Sequence, residues 1–413
     1  MQNIDIFKLS NGIKVILKEN PNTPRIAINF FINTGIKNEP KAGIAALASR
    51  LLLQGTTSRT QEELSKEIDN YAINLTSDSK QDYSKINTVF LNEDLPKAIE
   101  LFSDIINNST FETFEKEMRK FKGEIGVELD SPKTKAIDNY VKNLYKGHPY
   151  GNSFTRVLEE LENLTQEDTK NYYFSSLSPE NIKITVVGDV DKNLIKTMLE
   201  NNFGKIQPKT PSVIHLSQLK LDKTQTVKIE KDDAAQAQVI QGWIVPGILS
   251  EEYPALTILN TILGSSGLSS RLFVELRDKQ GLAYVVRSSY DPLTLGGNFL
   301  VYIATEPKNI KTALDGFKTE IKKLQDTVVS EKELDSAKTN ILGKRNFFHE
   351  TNAQQAHYLG YYEVIGLGSS YDDEVIEKIK RVTADDVKNV AKKYLGENSV
   401  ISLLAPQKEL SQY

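Results

Sequence analysis

The sequence predicts an α+β protein made of two homologous domains, each with a mostly antiparallel sheet that helices cover on one face. The chain has 413 residues, which exceeds what a single hydrophobic core usually supports. Short apolar runs that end in glycine alternate with segments of helical periodicity. The same order of segments occurs twice, at an offset of about 215 residues.

The first pair of matching segments predicts a strand followed by a helix. The strands are RIAINFFINTG, which ends at Gly35, and AQVIQGWIVPG, which ends at Gly247. Both are rich in β-branched and aromatic residues, as strands are. The helical segments that follow are AGIAALASRLLLQGT in the first half and ALTILNTILGSSG in the second.

The later segments predict a helical hairpin and then a helix followed by a strand. The hairpins are PKAIELFSDIINNSTFETFEKEMRKFKGEI and IKTALDGFKTEIKKLQDTVVSEKELDSAKTNILG, and Ser330 and Glu333 have the spacing of a capping box. Thr165 and Thr383 each precede acidic residues, which indicates a helix start. We therefore predict domains at 1–206 and 227–413, joined by a polar linker at 207–226 that contains Pro208 and Pro211.

Composition excludes several classes of function. The net charge is -4, so we expect no nucleic-acid partner, which would favour a basic face. The chain has no cysteine, which excludes disulfides, thiolate metal sites and a cysteine nucleophile. The N-terminus lacks a signal-type apolar segment, and no apolar stretch is long enough to span a membrane. We expect a soluble protein, either cytoplasmic or, if a leader was removed, periplasmic.

The helical segment AGIAALASRLLLQGT resembles the zinc-site helix of the pitrilysin/insulinase-type peptidases, the inverzincins. In that family a Gly-x-Ala start is followed by H-x-x-E-H and by a leucine-rich turn that ends in Gly-Thr. The matching residues here are Gly43, Ala45, Leu52, Gly55 and Thr56. The resemblance continues through HPYG, VVGD and SSRLFVELRDKQGLAY, and so covers nearly the whole chain.

The chain departs from the family at the zinc ligands themselves. The two histidine positions hold Ala46 and Arg50, and the glutamate position holds Ser49. A methyl group offers no donor, a guanidinium repels a metal cation, and a hydroxyl is a poor base near neutral pH. We therefore predict that this chain binds no metal.

No other residues supply the missing ligands. The family's third ligand is a glutamate roughly 75 residues further on, where Glu124 and Glu128 lie, and one carboxylate does not hold catalytic zinc. The histidines are His148, His215, His349 and His357. His349 and His357 are too far apart on a helix, about 12 Å, to share a metal. His148 lies in a Pro-Gly turn, where we expect a structural role.

The second half carries the other candidate residues, Arg277 and Tyr284. In the family, an arginine and a tyrosine at this spacing reach the zinc site of the other half. The resemblance implies that they bind substrate carbonyls and stabilise the oxyanion. A guanidinium and a phenol suit this role, because both donate hydrogen bonds to developing negative charge. The alternative is that Arg277 pairs with a surface carboxylate and Tyr284 packs under the sheet. GSSGLSS lacks the residues of a phosphate-binding loop and predicts a turn between helices.

The resemblance implies a non-metal-binding subunit, similar to the alpha subunit of processing peptidases. Its partner would be a homologous subunit with H-x-x-E-H that holds the zinc, and the pair would enclose unfolded peptides in a chamber. Two alternatives remain open: a structural or assembly subunit, and a stand-alone peptide-binding homodimer.

Overall fold

The structure is a computed structural model that describes residues 4–209, 216 and 219–413. Residues 210–215 and 217–218 lie outside the described residues, and these include Pro211, His215 and part of the predicted linker. The strands in the described part of the chain are β1 Ile4–Lys8, β2 Lys14–Glu19, β3 Arg25–Ile32, β4 Asn74–Ser79, β5 Ser84–Leu91, β6 Ile182–Gly188, β7 Gln225–Glu230, β8 Ala237–Val245, β9 Val285–Asp291, β10 Gly297–Thr305 and β11 Val400–Ala405.

The α-helices are α1 Ile44–Leu51, α2 Gln61–Asn70, α3 Leu95–Asn108, α4 Phe114–Asp130, α5 Pro132–Leu144, α6 Phe154–Leu161, α7 Gln166–Ser176, α8 Lys192–Phe203, α9 Tyr253–Asn260, α10 Ile310–Asp326, α11 Glu331–Phe347, α12 Asn352–Val364, α13 Tyr371–Arg381, α14 Ala384–Tyr394 and α15 Gln407–Leu410. Two π-helical segments, Thr261–Ser265 and Phe273–Asp278, flank the GSSGLSS turn. The predicted capping threonines Thr165 and Thr383 each accept a hydrogen bond from the backbone three residues on.

The two sheets confirm the predicted α+β class and have matching strand orders. The first runs β1-β2-β6-β3-β5-β4 and the second β7-β11-β8-β10-β9. Each contains one parallel pair, β2 with β6 and β7 with β11, and is otherwise antiparallel. The second sheet therefore repeats the first without β1, as expected for a duplicated sequence.

The chain divides into two compact units, each made of three segments. Unit 1 comprises Met1–Glu124, Arg156–His215 and Asn346–Asp372, and unit 2 comprises Ile125–Thr155, Leu216–Arg345 and Asp373–Tyr413. These bounds differ from the repeat halves 1–206 and 227–413. Each half contributes one helix, α5 or α12, to the unit built around the sheet of the other half, because the apolar face of that helix is buried there.

In unit 1, helices cover both faces of the sheet. On one face, Phe30 of β3 packs on Phe203 of α8, with ring centroids 5.3 Å apart. On the other face, α12 lies across β3 and β6. The buried hydroxyl of Thr185 donates a hydrogen bond to the carbonyl of Ala356, at 2.8 Å. The sequence predicted helices on one face of the sheet, and α12 adds a helix on the second face.

Unit 2 repeats this arrangement with α5 in the place of α12. Ser402 of β11 donates a hydrogen bond to the carbonyl of Ala136 in α5, at 2.9 Å. Tyr140 of α5 is fully buried against β8 at Gly242. The other face of this sheet includes Trp243, whose indole N–H donates to the carbonyl of Gly396 after α14, at 2.8 Å.

None of the helices in the described ranges combines the length and the apolar character that a bilayer span requires.

Candidate functional site

Helix α1 carries the three positions that correspond to the zinc motif. Gly43 precedes it with φ +90°, and a Cβ there would lie 2.7 Å from Val157. The buried Glu39 carboxylate accepts hydrogen bonds from the backbone N–H groups of Gly43 and Ala45, both at 3.2 Å. Negative charge at a helix N-terminus is favourable, so Glu39 fixes the start of α1.

The three motif positions of α1 carry a methyl group, a hydroxyl and a guanidinium, with no imidazole among them. Ala46 is half-buried and Ser49 is buried. Arg50 is at the last turn of α1 and projects toward α4.

Arg50 forms ion pairs with two glutamates of α4. Its guanidinium lies 2.9 Å from a Glu124 oxygen and 3.6 Å from a Glu117 oxygen. The second distance is too long for a hydrogen bond, and Arg50 Nε has no hydrogen-bond partner in the described part of the chain. The Arg50 carbon Cζ also lies 5.1 Å from the ring centroid of Phe121. Hydrogen bonds from Arg50 hold the pKa of the Glu124 carboxyl below its ordinary value.

This donor set does not fit a zinc ion. Glu117 and Glu124 are the carboxylates that pair with Arg50, and the side chain that joins them is a cation. Within the ranges that the structure describes, no group of three histidine, aspartate or glutamate side chains is arranged to hold a metal. We therefore derive no step through a metal bound to this chain. Glu128, the other candidate, is exposed.

The described histidines have structural environments. His148 is buried, and its Nδ1 accepts a hydrogen bond from the backbone N–H of Tyr150, at 3.1 Å. His349 Nε2 lies 2.8 Å from Asp372. Burial lowers the pKa of His357 to about 4, and the positive charges of Lys85 and Lys80 act in the same direction.

Arg277 and Tyr284 lie on either side of the turn that ends the second π-helical segment. Gly281, with φ +63°, lies within this turn and its N–H donates to the carbonyl of Arg277. Thr305 of β10 donates to the carbonyl of Leu282, at 2.6 Å. Leu276 is fully buried, so the segment is anchored one residue before Arg277.

The turn places the Arg277 guanidinium over two aromatic rings. Its carbon Cζ lies 4.4 Å from the ring centroid of Phe273 and 4.7 Å from that of Tyr284. No carboxylate of the described residues forms an ion pair with Arg277. The Tyr284 side chain is 77% exposed rather than packed under the sheet. When an arginine guanidinium stacks on an aromatic face, the N–H donors in the plane of the guanidinium remain available for hydrogen bonds.

Glu117 and Phe273 are among the residues of these sites that were not identified from the sequence. Glu117 lies seven residues before Glu124, a spacing that puts both on one face of α4. Phe273 lies four residues before Arg277, where helical side chains are neighbours. Both spacings are visible in the sequence, but they show only which side chains share a face. They do not show which partner that face contacts.

Two family models match the chain. Residues 14–156 match the insulinase family, peptidase family M16. Residues 163–341 match the peptidase M16 inactive domain. The first range contains Ala46, Ser49 and Arg50, and the second contains Arg277 and Tyr284.

Relatives and solved structures agree with these matches. An uncharacterized zinc protease of Rickettsia felis is 26% identical over 98% of each chain. The crystal structure of a protease from Helicobacter pylori has a TM-score of 0.90 at 22% identity, covering 98% of this chain and 99% of that one. That of a peptidase M16 inactive domain from Pseudomonas fluorescens has a TM-score of 0.87 at 21% identity, with 98% of both chains covered. At these identities the structures establish the fold.

Proposed function

Since the chain belongs to the insulinase family of peptidases, peptidase family M16, we propose that it is the substrate-binding subunit of a two-chain zinc peptidase. A homologous subunit with an intact H-x-x-E-H motif holds the zinc. The pair encloses unfolded peptides in a chamber, and neither chain cleaves peptides alone.

The observation that carries this proposal is the environment of Arg277. The guanidinium contacts two aromatic rings, has no carboxylate partner in the described residues, and adjoins an exposed phenol. A surface arginine with only a structural role would ordinarily pair with a carboxylate. This pair instead presents unused hydrogen-bond donors to a ligand.

The chemistry of the two side chains suits a peptide carbonyl. The guanidinium and the Tyr284 hydroxyl both donate hydrogen bonds, and both interactions strengthen as the carbonyl oxygen gains negative charge. Removal of one such donor from an oxyanion site typically costs about 2.7–4 kcal/mol, or roughly 10²–10³ in rate. The stacked rings reduce the freedom of Arg277, so less ordering is needed when substrate binds.

Co-expression with the H-x-x-E-H homologue from the same genome tests this proposal. We expect a stable complex that cleaves unfolded peptides, and no cleavage by either chain alone. Arg277→Ala and Tyr284→Phe should each lower kcat of the complex at least about tenfold and leave its assembly unchanged. Arg287→Ala is the matched control, since Arg287 is an exposed arginine on the adjacent β9 whose guanidinium lies 5.8 Å from the Tyr302 ring centroid.

Other results would contradict the proposal. Peptide cleavage by the isolated chain, with about one zinc per chain, would make it a peptidase in its own right. Unchanged turnover in both variants would leave Arg277 and Tyr284 with a structural role. Stable homodimers that bind peptides without cleavage would favour a peptide-binding module.

A further inference from the structure

Helix α4 presents three side chains to the Arg50 guanidinium from one face. Glu117, Phe121 and Glu124 are spaced four and three residues apart, which aligns them along the helix. The two carboxylates approach the guanidinium at 3.6 and 2.9 Å, and the ring centroid of Phe121 lies 5.1 Å from Arg50 Cζ. A cation therefore lies between α1 and α4, where its charge is shared by two acidic residues.

Glu117 is the residue that requires this cation. It is 3% exposed, and Arg50 is its ion-pair partner among the residues described. A buried carboxylate without a compensating charge is strongly unfavourable. Glu124 is about half exposed and is less dependent on the pair.

We propose that the Arg50 guanidinium replaces the metal ion in this chain. It supplies the positive charge that stabilises the acidic face of α4, and it pairs with the Glu124 carboxylate that a metal would otherwise use as a ligand. This inference is independent of the proposed function, because it concerns unit 1 of the isolated chain. Its test involves neither a partner nor catalysis.

The guanidinium is a fixed part of the site, because it is carried by α1 and contacts both Glu117 and Glu124. It follows that two features prevent zinc binding, the lack of a histidine at position 46 and the presence of Arg50. With Arg50 in place, an imidazole introduced at position 46 would still face a fixed cation.

Zinc binding by two variants tests the exclusion. Ala46→His keeps the guanidinium, whereas Ala46→His/Arg50→His removes it and provides two imidazoles beside Glu124. Titration calorimetry with zinc should give about one site per chain for the double variant. It should give no binding, or binding roughly 100-fold weaker, for Ala46→His. Adding Glu124→Gln to the double variant is the control and should weaken binding again. Equal zinc affinity for Ala46→His and the double variant would overturn the exclusion.

Thermal unfolding tests the charge replacement separately. Arg50→Gln should lower the unfolding midpoint by roughly 5 °C or more, because Glu117 is left unpaired. Adding Glu117→Gln should restore most of that loss, since the buried charge is then gone. If Arg50→Gln does not fold, recovery of folding in Arg50→Gln/Glu117→Gln supports the proposal. Equal or greater destabilisation of the double variant would contradict it.

Discussion

Two arginines of this chain have opposite environments at the scale of single residues. Arg50 is neutralised by two carboxylates and lies against one ring. Arg277 lies against two rings and has no carboxylate partner in the described residues. A neutralised guanidinium suits a structural role, whereas one held by aromatic faces keeps its donors for a ligand. This contrast is the physical basis for assigning the two residues different roles.

Arg277→Lys separates the charge of this side chain from its shape. Lysine keeps the positive charge but lacks the planar group that stacks on Phe273 and Tyr284 and donates two parallel hydrogen bonds. We expect kcat/KM of the two-chain complex to fall at least about fivefold, a smaller loss than the roughly 10²–10³ for removal of a whole donor, because the charge is kept. Full activity in this variant would mean that charge alone suffices.

His357 gives unit 1 a predictable response to acid. Its pKa in the folded protein is about 4, below the ordinary value of 6.5, because burial disfavours the charged ring. Between these values the unfolded state binds the proton and the folded state does not. The stabilising effect of neutral His357 is therefore complete above pH 6.5 and is lost as the pH falls toward 4.

His357→Phe should flatten this acid response. The ring lies among Phe31, Tyr83 and Tyr361, so phenylalanine matches its surroundings. Its Nδ1 has no hydrogen-bond partner in the described residues, so none is lost there. Between about pH 7.5 and 5, denaturant titration should show wild type losing on the order of 1–2 kcal/mol more stability than the variant. Equal losses would assign the acid response to other groups.

At the scale of elements, α5 and α12 are equivalent helices of the repeat that pack in equivalent ways. In each unit, a carbonyl of the helix accepts a hydrogen bond from a buried hydroxyl on a strand of the sheet. That hydroxyl belongs to Thr185 in unit 1 and to Ser402 in unit 2. Close approach also needs a glycine in each case, but on opposite partners. Gly360 is on the helix in unit 1, and Gly242 is on the strand in unit 2.

Gly360→Ala tests the contact between α12 and its sheet. An added Cβ would lie 2.1 Å from Cε2 of Phe31, a ring buried in the core, so helix or ring must shift. Overpacking of this kind typically costs about 1–3 kcal/mol. We expect stability to fall by about 1 kcal/mol or more, measured by chemical denaturation.

Gly343→Ala is the matched control on an exposed helix. Gly343 lies in α11, and a Cβ there meets no atom within 4 Å. Alanine favours helix over glycine by up to about 1 kcal/mol, so this variant should be as stable as wild type or more so. Destabilisation of both variants would mean that glycine is needed for reasons other than packing.

At the scale of the whole molecule, the duplicated halves have diverged in chemistry while keeping one strand order. The first half carries the motif positions without metal ligands, and the second carries the half-buried Arg277 and the exposed Tyr284. We propose that neither half by itself provides both parts of a peptidase. Under the proposed function, activity therefore belongs to a complex and not to this chain.

Chelation should separate folding from activity at this scale. Because Arg50 supplies the charge at α4, EDTA should leave the unfolding midpoint of the isolated chain unchanged. It should abolish peptide cleavage by the two-chain complex, and added zinc should restore it. A midpoint lowered by several degrees in the isolated chain would indicate a bound metal that contributes to folding.

The sequence by itself determined the α+β class, the duplication and the absence of imidazoles at positions 46 and 50. Through resemblance to a family it also predicted Arg277 and Tyr284 as site residues, and their role stays a prediction. Only the tertiary structure decided which sheet α5 and α12 cover, and that Arg50 meets Glu117 and Glu124. It also decided that Arg277 contacts the rings of both Phe273 and Tyr284. Periodicity fixes which face of a helix is apolar or acidic, because that depends on local geometry alone. It does not specify which distant surface that face will contact, since this depends on how the whole core packs.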